Sequence, residues 1–476
     1  MAFPDDIFFA SASDLLTMLR SRQVSAAELV SAFIERVESL NPHVKSVVTL
    51  CEERAAVEAD EADHRLSGRE DARPLEGLPI TIKDSIETKG IRSTDGMKIL
   101  EHHIPQEDAP TVARLRAAGA IIIGKTNVPE MAIDYDCDNP LFGSTNNPWN
   151  STRVPGGSSG GEAASLASGM CALGLGSDYG GSIRIPAHFC GIVGLKPSWG
   201  TIPGTGHLPP SPGAPPPIAH MATIGPMARY VDDLTLKYNL ISGPHPSTPY
   251  TVPSLEAHPE NVDLKQLECA FFTDVEAAVP VAAEIRAAIE RAAKALDGIG
   301  VRIEQKTPPV KEAARIWADY AMADGGELLR AQLGERINLS RERLRNAFTA
   351  PTPSKSAAEF FRTSIERDIY RVQLARFMER YPIVIGAPFC VTAFEHGGIE
   401  VNVDGQKYPL FTANWPALWV NCAGLPAVVV PAGRDRGGLP IGVQIVGRAF
   451  EEETVLAVAK ALEQELGGFK KPPLPH

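Results

Sequence analysis

The sequence lacks the features that would place the chain in a membrane or outside the cell. No apolar run approaches the roughly 20 residues of a membrane-spanning helix. The amino terminus carries Asp5 and Asp6 before its first apolar residues, where a secretory signal has basic ones. The seven cysteines stand singly, without a Cys-x-x-Cys pair. We therefore expect reduced thiols and a cytoplasmic protein.

Basic tracts and metal-ligand clusters are also missing. The 476-residue chain has 46 Lys and Arg against 58 Asp and Glu, a formal net charge of −12, whereas nucleic-acid binding surfaces are usually basic. The adjacent His102 and His103 have no third ligand at a workable spacing. We expect no nucleic acid as a direct ligand, no metal and no cofactor.

Short apolar runs bounded by glycine and proline alternate with helical patterns. Ser25 and Glu28 form a capping box that predicts the start of a helix. The runs at 78–82 and 120–124 predict strands on either side of a helix at 110–118. Further strands are expected at 172–176, 427–431 and 441–445. This order indicates an α/β fold with a mostly parallel sheet covered by helices.

Two proline-rich stretches are candidate boundaries. Residues 200–217 contain seven prolines and almost no charge, and residues 243–261 are proline-rich and polar. The α/β alternation continues beyond them, with a strand pattern at 267–272 and an Ala-rich helix pattern at 280–296. We therefore predict one large domain, in which residues 200–217 form an ordered loop on the core.

Two glycine-rich loops carry serine. Residues 155–161 read Pro-Gly-Gly-Ser-Ser-Gly-Gly, and residues 176–186 read Gly-Ser-Asp-Tyr-Gly-Gly-Ser-Ile-Arg-Ile-Pro. Glycine at this density lets backbone N–H groups converge on an anion, as an oxyanion hole requires. The loops predict a site that presents a serine nucleophile, and a flexible Gly/Ser linker is the alternative.

The first loop also matches two other motifs in part. Gly156 and Gly161 have the spacing of a phosphate-binding loop, but Glu162 stands where that loop has lysine. The segment around Ser158 fits the Gly-x-Ser-x-Gly elbow of α/β-hydrolases, with His396 as the one plausible base in chain order. A histidine base thus remains an alternative.

Lysine offers a different base. Lys83 directly follows the apolar run 78–82 and shares a strand face with Thr81. An exposed lysine would stay charged, whereas burial beside the glycine loops would lower its pKa from about 10.4 and leave a neutral amine. Asp178 and Arg184 flank residues 179–183 of the second loop and could pair across that turn.

Lys83, the Gly-Gly-Ser-Ser-Gly-Gly loop and the Asp-Tyr-Gly-Gly-Ser-Ile-Arg segment together resemble the amidase signature family. Lys83 lies 75 residues before Ser158, and Ser158 lies 24 before Ser182, which is in keeping with that family. The motifs are most similar to fatty-acid amide hydrolase-like and bacterial amidases. The resemblance implies one domain with a mixed central sheet covered by helices on both faces. Its regions are an amino-terminal helical part (1–70), a catalytic core (75–230), a variable pocket region (245–390) and the carboxyl-terminal core (410–460).

The resemblance implies a Ser-cis-Ser-Lys triad. Ser182 would be the nucleophile, Ser158 the bridging serine after a cis peptide bond, and Lys83 the neutral base. The oxyanion would be bound by the backbone N–H groups of Tyr179, Gly180, Gly181 and Ser182. The residues expected to support the site are Gly157, Ser159, Asp178 and Arg184.

In relatives the pocket includes the positions of Met131, Tyr135 and Trp199, which are apolar or aromatic here. They favour a small hydrophobic or aryl amide or anilide, with carbamates and esters open to the same acyl-serine chemistry. We expect a stand-alone hydrolase of such small molecules, and a homodimer is a further expectation. The rival within the family is the A subunit of the tRNA-dependent amidotransferase, which hydrolyses glutamine and passes ammonia to a partner.

Overall fold

The core is organised by one eleven-stranded sheet in the computed structural model, which describes residues 5–68, 72–207, 220–253, 256–276, 278–349 and 353–474. The sheet strands are Val47–Leu50 (β1), Pro79–Lys83 (β2), Ile121–Thr126 (β3), Leu173–Asp178 (β6), Val193–Lys196 (β7), Thr223–Ala228 (β8), Glu268–Phe271 (β9), Arg302–Gln305 (β10), Ile383–Gly386 (β11), Ala427–Arg434 (β14) and Pro440–Gly447 (β15). Their order across the sheet is β1-β3-β2-β6-β8-β7-β14-β15-β11-β9-β10. Two small hairpins pair Asp138–Asn139 (β4) with Gly143–Ser144 (β5), and Glu400–Val403 (β12) with Gln406–Pro409 (β13).

The helices pack around this sheet. They are Ala12–Arg20 (α1), Ala26–Val44 (α2), Glu52–Ser67 (α3), Pro110–Ala117 (α4), Gly160–Ala167 (α5), Arg184–Cys190 (α6), Val231–Ile241 (α7), Ala283–Gly298 (α8), Ala313–Ala321 (α9), Glu327–Leu333 (α10), Glu342–Thr349 (α11), Ala357–Arg380 (α12), Trp415–Ala423 (α13) and Glu452–Leu466 (α14). Among the described helices, none is long and apolar enough to cross a membrane.

The capping box predicted at Ser25 is confirmed. The Ser25 side chain accepts a hydrogen bond from the Glu28 N–H at 3.1 Å, and the Glu28 carboxylate accepts one from the Ser25 N–H at 3.0 Å. Each bond satisfies a backbone donor that would otherwise lack a partner at the helix start. The same arrangement begins α12, where Ser356 pairs with Glu359.

The α/β class and the mixed, helix-covered sheet that the resemblance implies are confirmed, whereas the mostly parallel sheet indicated by the order of the apolar runs is not. Strands β2, β3 and β6 pair in parallel, as do β9, β10 and β11, whereas β14 and β15 form an antiparallel hairpin between these two groups. Apolar alternation does not distinguish such a hairpin from two strands joined by a crossover. Because the sheet joins strands from residue 47 to residue 447, the chain forms a single domain.

Parallel pairing of β2 and β6 sets the position of the site. Ile82 lies opposite Leu175, so the carboxyl ends of both strands reach the same edge of the sheet. Lys83 ends β2 there, and the second glycine-rich loop continues from Asp178 at the end of β6. Most of the predicted proline-rich loop, residues 208–217, lies outside the described residues.

Candidate active site

Lys83 and Ser158 meet at this edge of the sheet. The Lys83 Nζ atom lies 2.6 Å from Ser158 Oγ and 2.9 Å from Ser177 Oγ. Lys83 is completely buried, and this burial lowers its pKa to about 8 because the charged form loses its hydration. A substantial fraction of such a lysine is neutral near pH 7 to 8, and the neutral amine can accept a proton from a serine hydroxyl.

The two glycine-rich loops lie against each other. The Ser159 N–H donates to the Ser182 carbonyl oxygen at 3.1 Å, which holds the second loop beside the first. The peptide bond between Gly157 and Ser158 is cis, as the resemblance implies. A Cβ atom on Gly157 would lie 2.8 Å from Tyr135 Cα, so only glycine fits this approach to the neighbouring backbone.

Asp178 shapes the loop that carries Ser182. Its carboxylate accepts hydrogen bonds from the Gly181 N–H at 2.9 Å and the Ile183 N–H at 3.1 Å. Arg184 donates to both of its oxygens at 3.0 Å. Burial alone would raise the pKa of Asp178, but the adjacent Arg184 guanidinium holds it below its ordinary value. The ion pair between Asp178 and Arg184 is therefore charged and fully buried.

The bond from Gly181 to Asp178 changes the expected set of oxyanion donors. The family resemblance implies four consecutive N–H groups, but that of Gly181 is committed to the Asp178 carboxylate. Among the described residues, no hydrogen bond uses the N–H groups of Tyr179, Gly180 or Ser182. Three donors on the loop are thus available to an incoming oxygen.

Aromatic residues surround the same loop. The Tyr135 hydroxyl donates to the Gly180 carbonyl oxygen at 3.0 Å and accepts from the Asn414 amide at 2.5 Å. The Trp317 indole N–H donates to the Tyr179 carbonyl oxygen at 3.1 Å. The structure therefore brings Tyr135 to the site, where two aromatic side chains fix the carbonyl groups of the loop.

The other two expected pocket residues, Met131 and Trp199, pack against apolar and aromatic side chains. Trp199 stacks on Tyr250 with ring centroids 5.1 Å apart. Met131 belongs to a separate apolar cluster whose other buried members are Met97, Leu333, Ile337 and Leu344. The substrate contacts expected of Met131 and Trp199 stay a prediction.

Neither alternative motif agrees with the geometry. His396 Nδ1 lies 2.9 Å from the Asp136 carboxylate, while Ser158 is hydrogen-bonded to lysine. Glu162, at the lysine position of a phosphate-binding loop, accepts hydrogen bonds from the hydroxyls of Thr81 and Thr126 inside the core. A buried acid at that position does not suit a phosphate.

Sequence reasoning misses two residues near Lys83. Ser177 hydrogen-bonds Lys83, and its hydroxyl also lies 2.7 Å from His207 Nε2. Ser177 is recognisable in principle, because it sits one residue before the end of a strand parallel to β2. His207 is not a candidate base by the chain order of α/β-hydrolases, because it follows the serine loop too closely. That criterion concerns a histidine base and does not apply to a site whose base is lysine.

The chain matches the family model Amidase over residues 28–456. The A subunit of the glutamyl-tRNA(Gln) amidotransferase of Carboxydothermus hydrogenoformans is 33% identical over 501 residues, covering 98% of this chain and 99% of that protein. The solved structure of the corresponding A subunit from Thermotoga maritima is 27% identical, with a TM-score of 0.80 and coverage of 100% of both chains. A bacterial aryl acylamidase of the amidase signature family is 25% identical, with a TM-score of 0.85 and coverage of 96% of both chains.

These relatives correct two expectations. The sequence favoured a stand-alone hydrolase of small hydrophobic amides, without nucleic acid among its partners, but the full-length relative is a subunit of a glutamyl-tRNA(Gln) amidotransferase. The substrate inference was wrong because the apolar character of Met131, Tyr135 and Trp199, from which it was drawn, does not fix which amide a site accepts. The expectation that nucleic acid is not among the partners was wrong because net charge indicates only whether the chain itself has a basic surface for nucleic acid. It does not indicate whether the chain assembles with a protein that binds tRNA.

Proposed function

Because the chain belongs to the amidase signature family, we propose that this serine amidohydrolase, which acts on C–N bonds, is the amide-hydrolysing component of a tRNA-dependent amidotransferase. Its substrate would be glutamine, and its product ammonia would be used by the remaining subunits. The relative from Carboxydothermus hydrogenoformans supports this role because it aligns over 99% of its own length. A cytoplasmic location is part of the proposal.

The observation that carries the chemistry is the 2.6 Å contact between Lys83 Nζ and Ser158 Oγ, next to the Ser182 loop. Lys83 accepts the Ser158 proton while Ser158 accepts the Ser182 proton, and Ser182 Oγ bonds to the carboxamide carbon. The proton then returns through Ser158 to the amide nitrogen. The C–N bond breaks, ammonia leaves and an acyl-Ser182 remains, which water hydrolyses to glutamate.

The loop supplies the charge stabilisation. The tetrahedral oxyanion would accept hydrogen bonds from the N–H groups of Tyr179, Gly180 and Ser182. Preorganised donors of this kind are each worth about a hundredfold or more in rate. Asp178 holds the loop through the Gly181 and Ile183 N–H groups, so the donors need no rearrangement when charge develops.

The test is ammonia release from L-glutamine by the chain alone and with the remaining amidotransferase subunits and glutamyl-tRNA(Gln). We expect release that increases with these partners and falls about 10⁴-fold or more in Ser182→Ala, as for loss of a serine nucleophile. Ser168→Ala is the matched control, because Ser168 is buried and its hydroxyl has no hydrogen-bond partner among the described residues. It should retain wild-type activity.

The proposal is wrong if glutamine yields no ammonia under any of these conditions while the folded chain hydrolyses another amide through Ser182. It is also wrong if Ser182→Ala keeps the glutaminase activity.

A further inference from the structure

A short hydrogen-bond chain connects Lys83 to a half-buried histidine. Lys83 Nζ lies 2.9 Å from Ser177 Oγ, which lies 2.7 Å from His207 Nε2. Ser85 Oγ lies 3.3 Å from the same ring nitrogen. Lys83 and Ser177 are buried, whereas His207 is half-buried, so one hydroxyl separates the lysine from an imidazole that reaches the protein surface.

The direction of these hydrogen bonds decides whether Lys83 can act as a base. A neutral lysine amine has two N–H donors and one lone pair. If the lone pair faces the Ser158 hydroxyl, Lys83 must donate to Ser177 Oγ. Ser177 has a single O–H, which is then free to donate to His207 Nε2. This arrangement requires that Nε2 carry no proton.

We propose that neutral His207 is a positioning residue that, through Ser177, turns the lone pair of Lys83 toward Ser158. An imidazolium instead donates to Ser177 Oγ. The Ser177 hydroxyl then donates to the Lys83 lone pair and competes with Ser158 for it. The inference rests on the proposed role of Lys83 as base, and it assigns to His207 a role in both rate and pH dependence.

The segments that carry Lys83, Ser177 and His207 also carry charged groups. Lys83 ends β2 and Asp84 follows it, with the Asp84 carboxylate accepting from Thr94. Glu87 comes next, and its N–H donates to the Gly206 carbonyl oxygen while its carboxylate lies 3.1 Å from His103.

Asp178, one residue after Ser177, is paired with Arg184. Glu87 and Asp178 thus have partners, whereas one oxygen of Asp84 and both oxygens of the buried Asp95, whose charge acts on Lys83, have no hydrogen-bond partner among the described residues. Ser177, in contrast, contacts the ring nitrogen of His207 directly, and it is the group through which a change at His207 reaches Lys83.

The test is the rate at which an alkyl fluorophosphonate labels Ser182, measured from pH 5 to 9 by mass spectrometry. The Ser182 oxygen displaces fluoride, and its proton leaves through Ser158 and Lys83, so the rate reports on the base without needing glutamine. In the wild type we expect the labelling rate to fall tenfold for each pH unit below about pH 8, which is a slope of one in a plot of the logarithm of the rate against pH. Below roughly pH 6.5, the ordinary histidine value, the slope should become two.

Two variants separate positioning from packing. The side-chain oxygen of His207→Gln accepts from Ser177 at every pH, so the rate at pH 8 should stay within about threefold of the wild type, with slope one throughout. His207→Phe fills the space without an acceptor, and labelling at pH 8 should fall about tenfold or more. Thermal unfolding midpoints confirm that both variants fold.

The inference is wrong if His207→Gln keeps the slope of two, or if folded His207→Phe labels as fast as the wild type. These outcomes differ from failure of the proposed function, in which Ser182 is labelled normally but glutamine is not hydrolysed.

Discussion

The catalytic edge of the sheet and the long helix α12 are stabilised by opposite kinds of contact. At the edge, buried polar groups form hydrogen bonds with residues that are distant in sequence. Lys83 bonds Ser158, and the Arg184 guanidinium donates to the Gln444 side-chain oxygen at 2.5 Å, 260 residues away in the chain. In α12 the start is set locally, by a capping box within the sequence 356–359. The geometry of the site therefore depends on the whole fold, whereas the start of α12 is determined by residues within four positions of one another.

The two regions also treat apolar surface differently. The strands β2 and β6 are buried along their entire length. Helix α12 instead exposes Phe361, Ile365 and Ile369, at 67%, 60% and 52% of their surface. Changes at the catalytic edge should therefore affect stability and chemistry together, and changes on the exposed face of α12 should affect neither.

The largest effect on stability is expected at Arg184. Replacing Arg184 by Met leaves the buried Asp178 carboxylate without its cation, which should lower the free energy of unfolding by about 3–5 kcal/mol. Urea denaturation at pH 7 measures this loss. Asp178 has a lowered pKa in the folded state, so its ion pair stabilises the fold at pH values above about 4, the pKa of Asp in the unfolded chain. This stabilisation is lost as the pH falls further, and the unfolding free energies of the variant and the wild type should then become similar.

Arg436→Met is the control for this experiment. Arg436 pairs with Glu284 at 3.3 Å, but its side chain is 95% exposed. An exposed pair of this kind contributes about 0–1 kcal/mol. If Arg184→Met cost no more than Arg436→Met, the ion pair would not be what holds the Ser182 loop.

Features that depend on nearby residues could be predicted from the sequence, and features that depend on the whole fold could not. The Ser25 capping box and strand β2 were predictable, because both depend on residues close together in the chain. The meeting of Lys83 with Ser158 followed only from the family resemblance. The contact of Ser177 with His207 could not be read from spacing, since it depends on how a loop outside the sheet folds back onto β6.

The hydrogen bonds of the oxyanion loop, residues 179–182, could also not be predicted in full from the sequence. The glycines of this loop were identified from composition, and the proximity of Asp178 was expected. Which N–H group Asp178 would occupy depends on the φ and ψ angles of the turn, where Gly181 has φ of +102°. A left-handed glycine turns its N–H toward the carboxylate, and no sequence pattern records that choice.

The pH dependence of stability also distinguishes the catalytic edge from the rest of the molecule. The pKa of Lys83 is about 8 in the folded protein and about 10.4 when unfolded, so the unfolded chain binds more protons between these values. The free energy of unfolding should therefore rise by roughly 2–3 kcal/mol from pH 8 to pH 10.4 through this group alone. Lys83→Met should lack that rise when urea denaturation is repeated across the range.

Lys407→Met is the reference variant, because the Lys407 side chain is 74% exposed in the folded protein, and the stability of this variant should follow that of the wild type across the same pH range. A Lys83→Met curve parallel to the wild type would show that Lys83 is protonated in the folded protein near neutral pH. Such a lysine could not serve as the base.

The smallest effect is expected at Ile369, on the exposed face of α12. Ile369→Ala removes apolar surface that already contacts water and should change the free energy of unfolding by less than about 0.5 kcal/mol. Leu374→Ala on the same helix is the matched control, because Leu374 is 1% exposed and its truncation should cost about 2–5 kcal/mol. Urea denaturation of both variants gives the two values. Equal losses would mean that Ile369 is covered in solution by another chain, and the contrast between a self-contained helix and a fold-dependent site would then no longer hold.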